Sequence, residues 1–393
     1  MSAPVSDNAR GVTGSVSVPL LDVNRGNRLL RDKILEAVTA VCDSGRFLHG
    51  PDVRQIEESM AAVCGTRFAV SCASGSDALL LALMALDIGP GDEVITPSFT
   101  FFATASCIWR LGARIVFVDI DPVTFNLDPQ KVEAAITPAT KAIIPVHLFG
   151  QCADMDAICA IAAQHKLHVV EDVAQAIGAE YAGRPAGSLG DVGCCSFYPT
   201  KNLGGFGDGG MLSTNDEALT GKLRLLAAHG MQPRYYHSVV GINSRLDTIQ
   251  AAVLNVKLSQ LGQWTNARRA NAARYVERLA EEGLDQHLTL PHEAASQFHV
   301  WNQFTIRIPG KQRDTVRSRL AHMGIGTEVY YPVPLHLQEC FSCLGYEPGS
   351  LPESELAAGE VLSLPIFPEL TAEELETVVQ GLAQALCCKR AAA

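Results

Sequence analysis

No apolar run in this chain approaches the length of a bilayer span. The longest, around residues 78–86, falls far short of the about 20 residues a membrane helix needs. A basic excess is missing too: 31 lysines and arginines face 42 aspartates and glutamates, for a net charge of −11. That balance argues against a nucleic-acid binder, which would carry a basic face, and leaves open a small anionic ligand held by local groups. Residues 1–10 show no apolar signal core, so a cytoplasmic location is expected, with the 12 cysteines reduced. Cys64, Cys107, Cys194 and Cys195 lie in apolar runs and read as small core residues. Cys340 and Cys343 form one C-x-x-C with only His336 nearby. A zinc site would want a second pair, so the two read as structural thiols and no metal is expected. Internal repeats and low-complexity tracts are absent as well.

What is present is a well-buried globular chain, 47% hydrophobic and 19% charged. Its 393 residues exceed one ordinary core, so two domains are expected. Residues 1–260 would form a large ligand-binding domain and 261–393 a smaller α+β domain. Apolar strands are predicted at 68–73, 93–96, 114–118, 142–146, 168–171, 192–196 and 210–213. Helical patterns fall between several of them, at 77–86, 102–111, 129–136 and 154–165. This alternation predicts an α/β fold with a mostly parallel seven-stranded sheet flanked by helices. Beyond it, helices are predicted at 216–229 and at 244–261 running on into 264–282. Strands at 298–308 and 327–331 and helices at 313–323 and 372–386 complete the small domain, with a frayed tail over 387–393.

Ligands of such sheets bind at the carboxyl ends of the strands. Two chemical groups lie just past such ends. Lys201 sits in the turn after Cys195-Ser196-Phe197-Tyr198-Pro199-Thr200, and Asp172 closes His168-Val169-Val170-Glu171. A lysine and a carboxylate on neighbouring strand ends suit pyridoxal phosphate: the lysine forms a Schiff base and the aspartate keeps the pyridine nitrogen protonated. Gly75 and Ser76, in Ser74-Gly75-Ser76-Asp77 between a strand and a helix, suit the phosphate, because the first amides of a helix attract an anion. An ordinary helix cap fits the same residues. Phe101, after Pro97-Ser98-Phe99-Thr100, would stack on a pyridine ring, or simply pack in the core. Gln175 shares a face with Asp172 if the turn between them is helical, and would then donate to the phenolic oxygen. Ser196 is placed to reach the phosphate. His147, at another strand end, either touches a ligand or serves the structure. The glycines of 204–210 do not follow a strand and open a helix, so they are not a dinucleotide loop; they would let the backbone turn past Lys201.

Taken in order, these segments resemble the DegT/DnrJ/EryC1/StrS family of sugar aminotransferases over nearly the whole chain. The resemblance rests on Ser74 to Leu79, with Ser76 where threonine is more usual, on Val170 to Ala176 and on Ser196 to Leu203. Gly241-Ile242-Asn243-Ser244-Arg245-Leu246-Asp247 and Tyr331-Pro332-Val333-Pro334-Leu335-His336 look like further family blocks. It implies an aspartate-aminotransferase-type fold (fold type I) working as a homodimer with shared active sites. It also implies pyridoxal 5'-phosphate as cofactor, Lys201 and Asp172 as catalytic residues, and Gly75, Ser76, Phe101, Gln175 and Ser196 as cofactor contacts. Asn243 would reach the phosphate in the partner subunit's site. L-glutamate would give its amino group to a nucleotide-linked keto-sugar, for polysaccharide or glycosylated-metabolite biosynthesis. Relatives that carry histidine in place of the lysine act as dehydratases, so Lys201 favours transamination over a lyase reaction. Intact Lys201, Asp172 and Gln175 also weigh against a non-catalytic regulator. Arg234, Tyr235, Tyr236 and His237, just before the Asn243 block, are candidate contacts for a sugar-nucleotide diphosphate, or else an exposed loop.

Overall fold

Short apolar segments whose alternate residues are buried on opposite sides build the centre of the protein. The computed structural model describes residues 18–386, so the opening residues and the 387–393 tail lie outside the described residues. Strands β1 (Phe68–Cys72), β2 (Glu93–Pro97), β3 (Arg114–Val118), β4 (Thr140–Ile143) and β5 (His168–Asp172) come first. The two-residue strands β6 (Glu180–Tyr181) and β7 (Arg184–Pro185) follow, then β8 (Val192–Ser196) and β9 (Gly210–Thr214). Seven of these form one sheet in the order β1-β9-β8-β5-β4-β2-β3. Every neighbouring pair is parallel except those made by β9, which runs against both β1 and β8. The carboxyl ends of β1, β2, β5 and β8 and the start of β9 therefore share one edge, which is where the ligand was expected.

The period-two alternation sorts side chains between two layers. Val169 and Cys195 face one layer with α2 (Pro51–Val63) and the helices Met155–His165 and Thr248–Leu258; Val170 and Cys194 face the other with α3 (Gly75–Ala85) and α4 (Phe102–Arg110). The sequence reading does not anticipate α2 or the helix before it, α1 (Val23–Ser44), although both carry end signals. Asp22 caps α1 by accepting from the Asn24 amide at 3.0 Å, Gly45 closes it in a left-handed conformation at φ 64°, and Pro51 opens α2.

A third core gathers the chain beyond residue 261. Helix Leu261–Glu281 buries Leu261, Thr265, Arg268, Ala272, Tyr275 and Leu279, one stripe at alternating steps of four and three. Its apolar part packs with the antiparallel pair β11 (Phe304–Arg307) and β12 (Val361–Leu364). Phe99, Ile120, Leu148 and Phe149, from loops that leave the carboxyl edge of the large sheet, join the same core. Segments beyond residue 261 thus pack against loops at the ligand edge.

Three predicted elements differ. Residues 327–331 form no strand: Glu328 makes a single bridge to Ser363, and β12 pairs with β11 instead. The predicted strand at 298–308 splits into β10 (Gln297–Phe298) and β11, because His299 stacks on Trp301 at 3.8 Å and the buried Arg268 guanidinium takes the carbonyls of Trp301 and Ile366. The helix after residue 244 begins only at Thr248.

Candidate active site

The edge shared by β1, β2, β5 and β8 brings Gly75, Phe101, Asp172, Ser196 and Lys201 into one region. Lys201 lies in the turn after β8, its amide donating to the Tyr198 carbonyl at 2.9 Å. Among the described residues its Nζ has no hydrogen-bond or ion-pair partner. Burial pushes the amine down to about 8, against the opposing pull of the Asp172 carboxylate. A lysine so placed keeps more of its nucleophilic form than an exposed one.

Asp172 closes β5 and is 5% exposed. Its Oδ1 accepts from the Ala174 amide at 3.1 Å and its Oδ2 from the Thr104 hydroxyl at 2.9 Å. Burial pushes this carboxyl above the ordinary range, while the two hydrogen bonds and then Lys201 pull it back. A cationic ring nitrogen beside such a group would relieve the cost of a buried carboxylate.

The residues after Asp172 form turns, not the helix that the Gln175 expectation supposed. Gln175 is aimed by other means. Its Oε1 accepts from the Phe149 amide at 2.6 Å, which fixes the orientation of the side-chain amide, and its Nε2 donates to the Tyr331 hydroxyl at 3.1 Å. One Nε2 hydrogen is left for a ligand oxygen.

At the far side, Ser74 caps α3 by accepting from the Asp77 amide at 3.1 Å. The amides of Gly75 and Ser76 have no acceptor within the helix. A Cβ at position 75 would lie 2.7 Å from the Cβ of Ser196, and one at position 210 would run into the Ser74 carbonyl. Two glycines therefore let the strand ends close tightly under the helix start, and the φ angles of 204–210 are not left-handed. The glycine run, expected to let the backbone turn past Lys201, serves by close approach and not by left-handed conformation. Phe101 precedes α4 at its N-cap, is 56% exposed as a residue, and holds its ring 6.2 Å from that of Tyr331, where it is placed to cover a planar ligand.

His147 does not belong to this set. It is fully buried, its Nε2 donates to Glu171 at 2.9 Å and its Nδ1 accepts from the Ala153 amide at 3.2 Å, so neither ring nitrogen is left for a ligand. Glu171 also takes the amides of Gly187, Leu189 and Gly190, which makes the pair a structural clasp behind β5. Asn243 is exposed, and no contact joins Arg234, Tyr235, Tyr236 or His237 to Lys201 in this chain. Arg234 lies over the Tyr235 ring at 4.8 Å, and His237 Nδ1 donates to the His229 carbonyl at 2.9 Å. Cys340 and Cys343 are exposed free thiols and not core residues. Among the described residues, no group of three or more histidine, cysteine or acidic side chains could hold a metal, and no helix is long and apolar enough to cross a membrane.

Two residues at the site escape the sequence reading. Thr104 lies one helical turn past Phe101, a spacing that puts both on one side of α4 and that could have revealed it. Tyr331 opens one of the blocks named above but is given no role there; its contact with Gln175, 156 positions away, has no local signal.

An unpartnered lysine, a buried carboxylate and a phosphate-ready helix start fit pyridoxal phosphate, on a sheet of the type used by aminotransferases that carry it. The chain belongs to the DegT/DnrJ/EryC1/StrS aminotransferase family, whose model matches residues 29–383. It is 52% identical over 369 residues to a "Pleiotropic regulatory protein" of Geobacillus stearothermophilus, covering 94% of this chain and 98% of that one. It is 45% identical over 375 residues to the UDP-N-acetyl-3-dehydro-alpha-D-glucosamine 3-aminotransferase of Acidithiobacillus ferrooxidans, covering 95% of this chain and all of that one. The crystal structure of S. venezuelae DesV in complex with a ketimine intermediate superposes with a TM-score of 0.91 at 45% identity, covering 94% of this chain and 98% of that one.

Proposed function

We propose that this protein transfers the amino group of L-glutamate to a nucleotide-linked keto-sugar, with pyridoxal phosphate as cofactor, to make an amino-sugar. The observation that carries this reading is the unpartnered Lys201 amine beside the buried Asp172 in an aminotransferase fold. When bound, the cofactor supplies an electron-withdrawing ring that stabilises negative charge at the carbon losing its proton. Asp172 would hold the positive charge at the ring nitrogen, and the second Nε2 hydrogen of Gln175 would donate to the phenolic oxygen. The amides of Gly75 and Ser76 and the Ser196 hydroxyl hold the phosphate. Phe101 covers one face of the ring. Lys201 would hold the cofactor at its aldehyde carbon, and its amine, when free, would move a proton to and from the amino donor's α-carbon.

The same reading makes the protein a homodimer in which Asn243 reaches the phosphate held by the partner subunit. Its exposure without a side-chain partner supports this. Arg234, Tyr235, Tyr236 and His237, exposed on the same segment, would meet the nucleotide diphosphate. The chain would divide near residue 260 into a cofactor-binding domain and a smaller lobe. The ten described cysteines are all free, in keeping with a reducing, cytoplasmic setting. The regulatory name of one relative raises a non-catalytic reading, which the intact Lys201 and Asp172 oppose.

Mixing two variants tests site and dimer together. Lys201→Ala and Asn243→Asp should each lose glutamate-dependent amino transfer, the second by placing a carboxylate against the phosphate. Dissociated and reassembled together, they should recover activity, since one site per mixed dimer holds Lys201 and Asn243 intact. Full activity in Lys201→Ala alone would sink the catalytic assignment. Inactive mixtures with proven subunit exchange would remove Asn243 from the partner's site.

A further inference from the structure

Thr104 is fully buried in the first turn of α4, one turn beyond Phe101. Its hydroxyl donates to Asp172 Oδ2 at 2.9 Å and lies 3.2 Å from the hydroxyl of Thr100, which is also buried. A threonine has one hydroxyl hydrogen. Thr104 spends it on the carboxylate, so the hydrogen between the two threonines must come from Thr100. The chain runs in one direction, Thr100 to Thr104 to Asp172. Thr100 and Thr104 flank Phe101, so one helix start carries both the ring-covering aromatic and the support of the aspartate.

We propose that Thr104 is a positioning residue that holds the Asp172 carboxylate ionised and turned toward the cofactor's ring nitrogen. The inference rests on the functional reading above. A carboxylate buried without hydrogen bonds neutralises itself by taking up a proton, and here that proton is the one the ring nitrogen must keep. The other groups facing Asp172 are Lys201, His147, Cys107, Cys194 and Tyr331. Burial keeps the two thiols and the phenol protonated, and the His147 ring is bound to Glu171. Lys201 gives up its free amine when it anchors the cofactor. The hydrogen bonds from Thr104 and the Ala174 amide do not involve that amine, and only the first can be removed by a side-chain substitution. An ionised carboxylate offers about four acceptor positions; with these two taken, the others are left for the ring.

The test compares Thr104→Val, which keeps the shape and removes the donor, with Thr104→Ser, which keeps the donor. Both are made in the native and Asp172→Asn backgrounds. Cofactor affinity is followed against pH by equilibrium dialysis, and glutamate kinetics are measured alongside. Without its donor Asp172 holds a proton more readily, so affinity should be lost on acidification about one pH unit earlier in Thr104→Val. The kcat should fall about tenfold at nearly unchanged KM, and Thr104→Ser should restore both. In the Asp172→Asn background, Thr104→Val should change neither. A Thr104→Val profile that matches the native one overturns the proposal, as does an effect of equal size in the Asp172→Asn background, which would mark a packing role. A native protein that binds no cofactor at any pH would instead overturn the functional reading, and this role with it.

Discussion

Lys201 shows how burial prepares a residue. Desolvation disfavours its charged form and brings the amine down to about 8, with Asp172 resisting. Below that pH the ammonium cannot attack an aldehyde, so capture of pyridoxal phosphate by the cofactor-free protein should speed up with rising pH, with a midpoint near 8. Stopped-flow appearance of the yellow colour measures this, and a midpoint near the ordinary lysine value of about 10.4 would contradict it. Lys201 and Asp172 are legible in the sequence because one lies in the turn just past a short apolar strand and the other closes such a strand. His147 occupies the same kind of position and misleads, because its role depends on Glu171, a neighbour across the sheet. The role of Tyr331 is hidden for the same reason: a segment distant in sequence delivers it to Gln175.

At the scale of elements, the seven strands stand out by composition, since strands buried on both faces read as unbroken apolar runs. Ends are harder. Helices α1 and α2 mix exposed and buried residues; their signals lie in Asp22, Gly45 and Pro51 and in the stripes Leu30–Ile34–Val41 and Val53–Ile56–Met60, which the sequence reading does not use. The strand at 298–308 breaks because of the Arg268 contact, which comes from another helix. The glycine run after Lys201 carries a testable load. Ala at position 210 would press on the Ser74 carbonyl at the phosphate end of α3, while position 89 has open space around it. Gly210→Ala should destabilise the protein by about 1–3 kcal/mol, in the range of overpacking, and weaken cofactor binding. Gly89→Ala should do neither. Thermal melts and cofactor titrations compare the two, and equal behaviour would remove the close-approach argument.

For the whole molecule, one edge of one sheet collects the candidate residues, and the β11–β12 pair packs against its loops through a core shared with Phe99, Leu148 and Phe149. The sequence reads well for the sheet and its ligand edge. It reads poorly for that packing, which depends on contacts between segments more than a hundred residues apart. The family relation accords with the proposed cofactor residues and leaves the sugar to be found. The most direct measurement is a half-reaction. Protein first converted to its amino-loaded form with L-glutamate, then freed of glutamate, is mixed with a panel of UDP-, dTDP- and GDP-linked keto-sugars, beginning with 3-keto forms in line with the Acidithiobacillus ferrooxidans relative. One of them should restore the yellow colour within a single turnover and yield one equivalent of amino-sugar. Loading by glutamate with no keto-sugar able to discharge it, or a product sugar without nitrogen, would contradict the account.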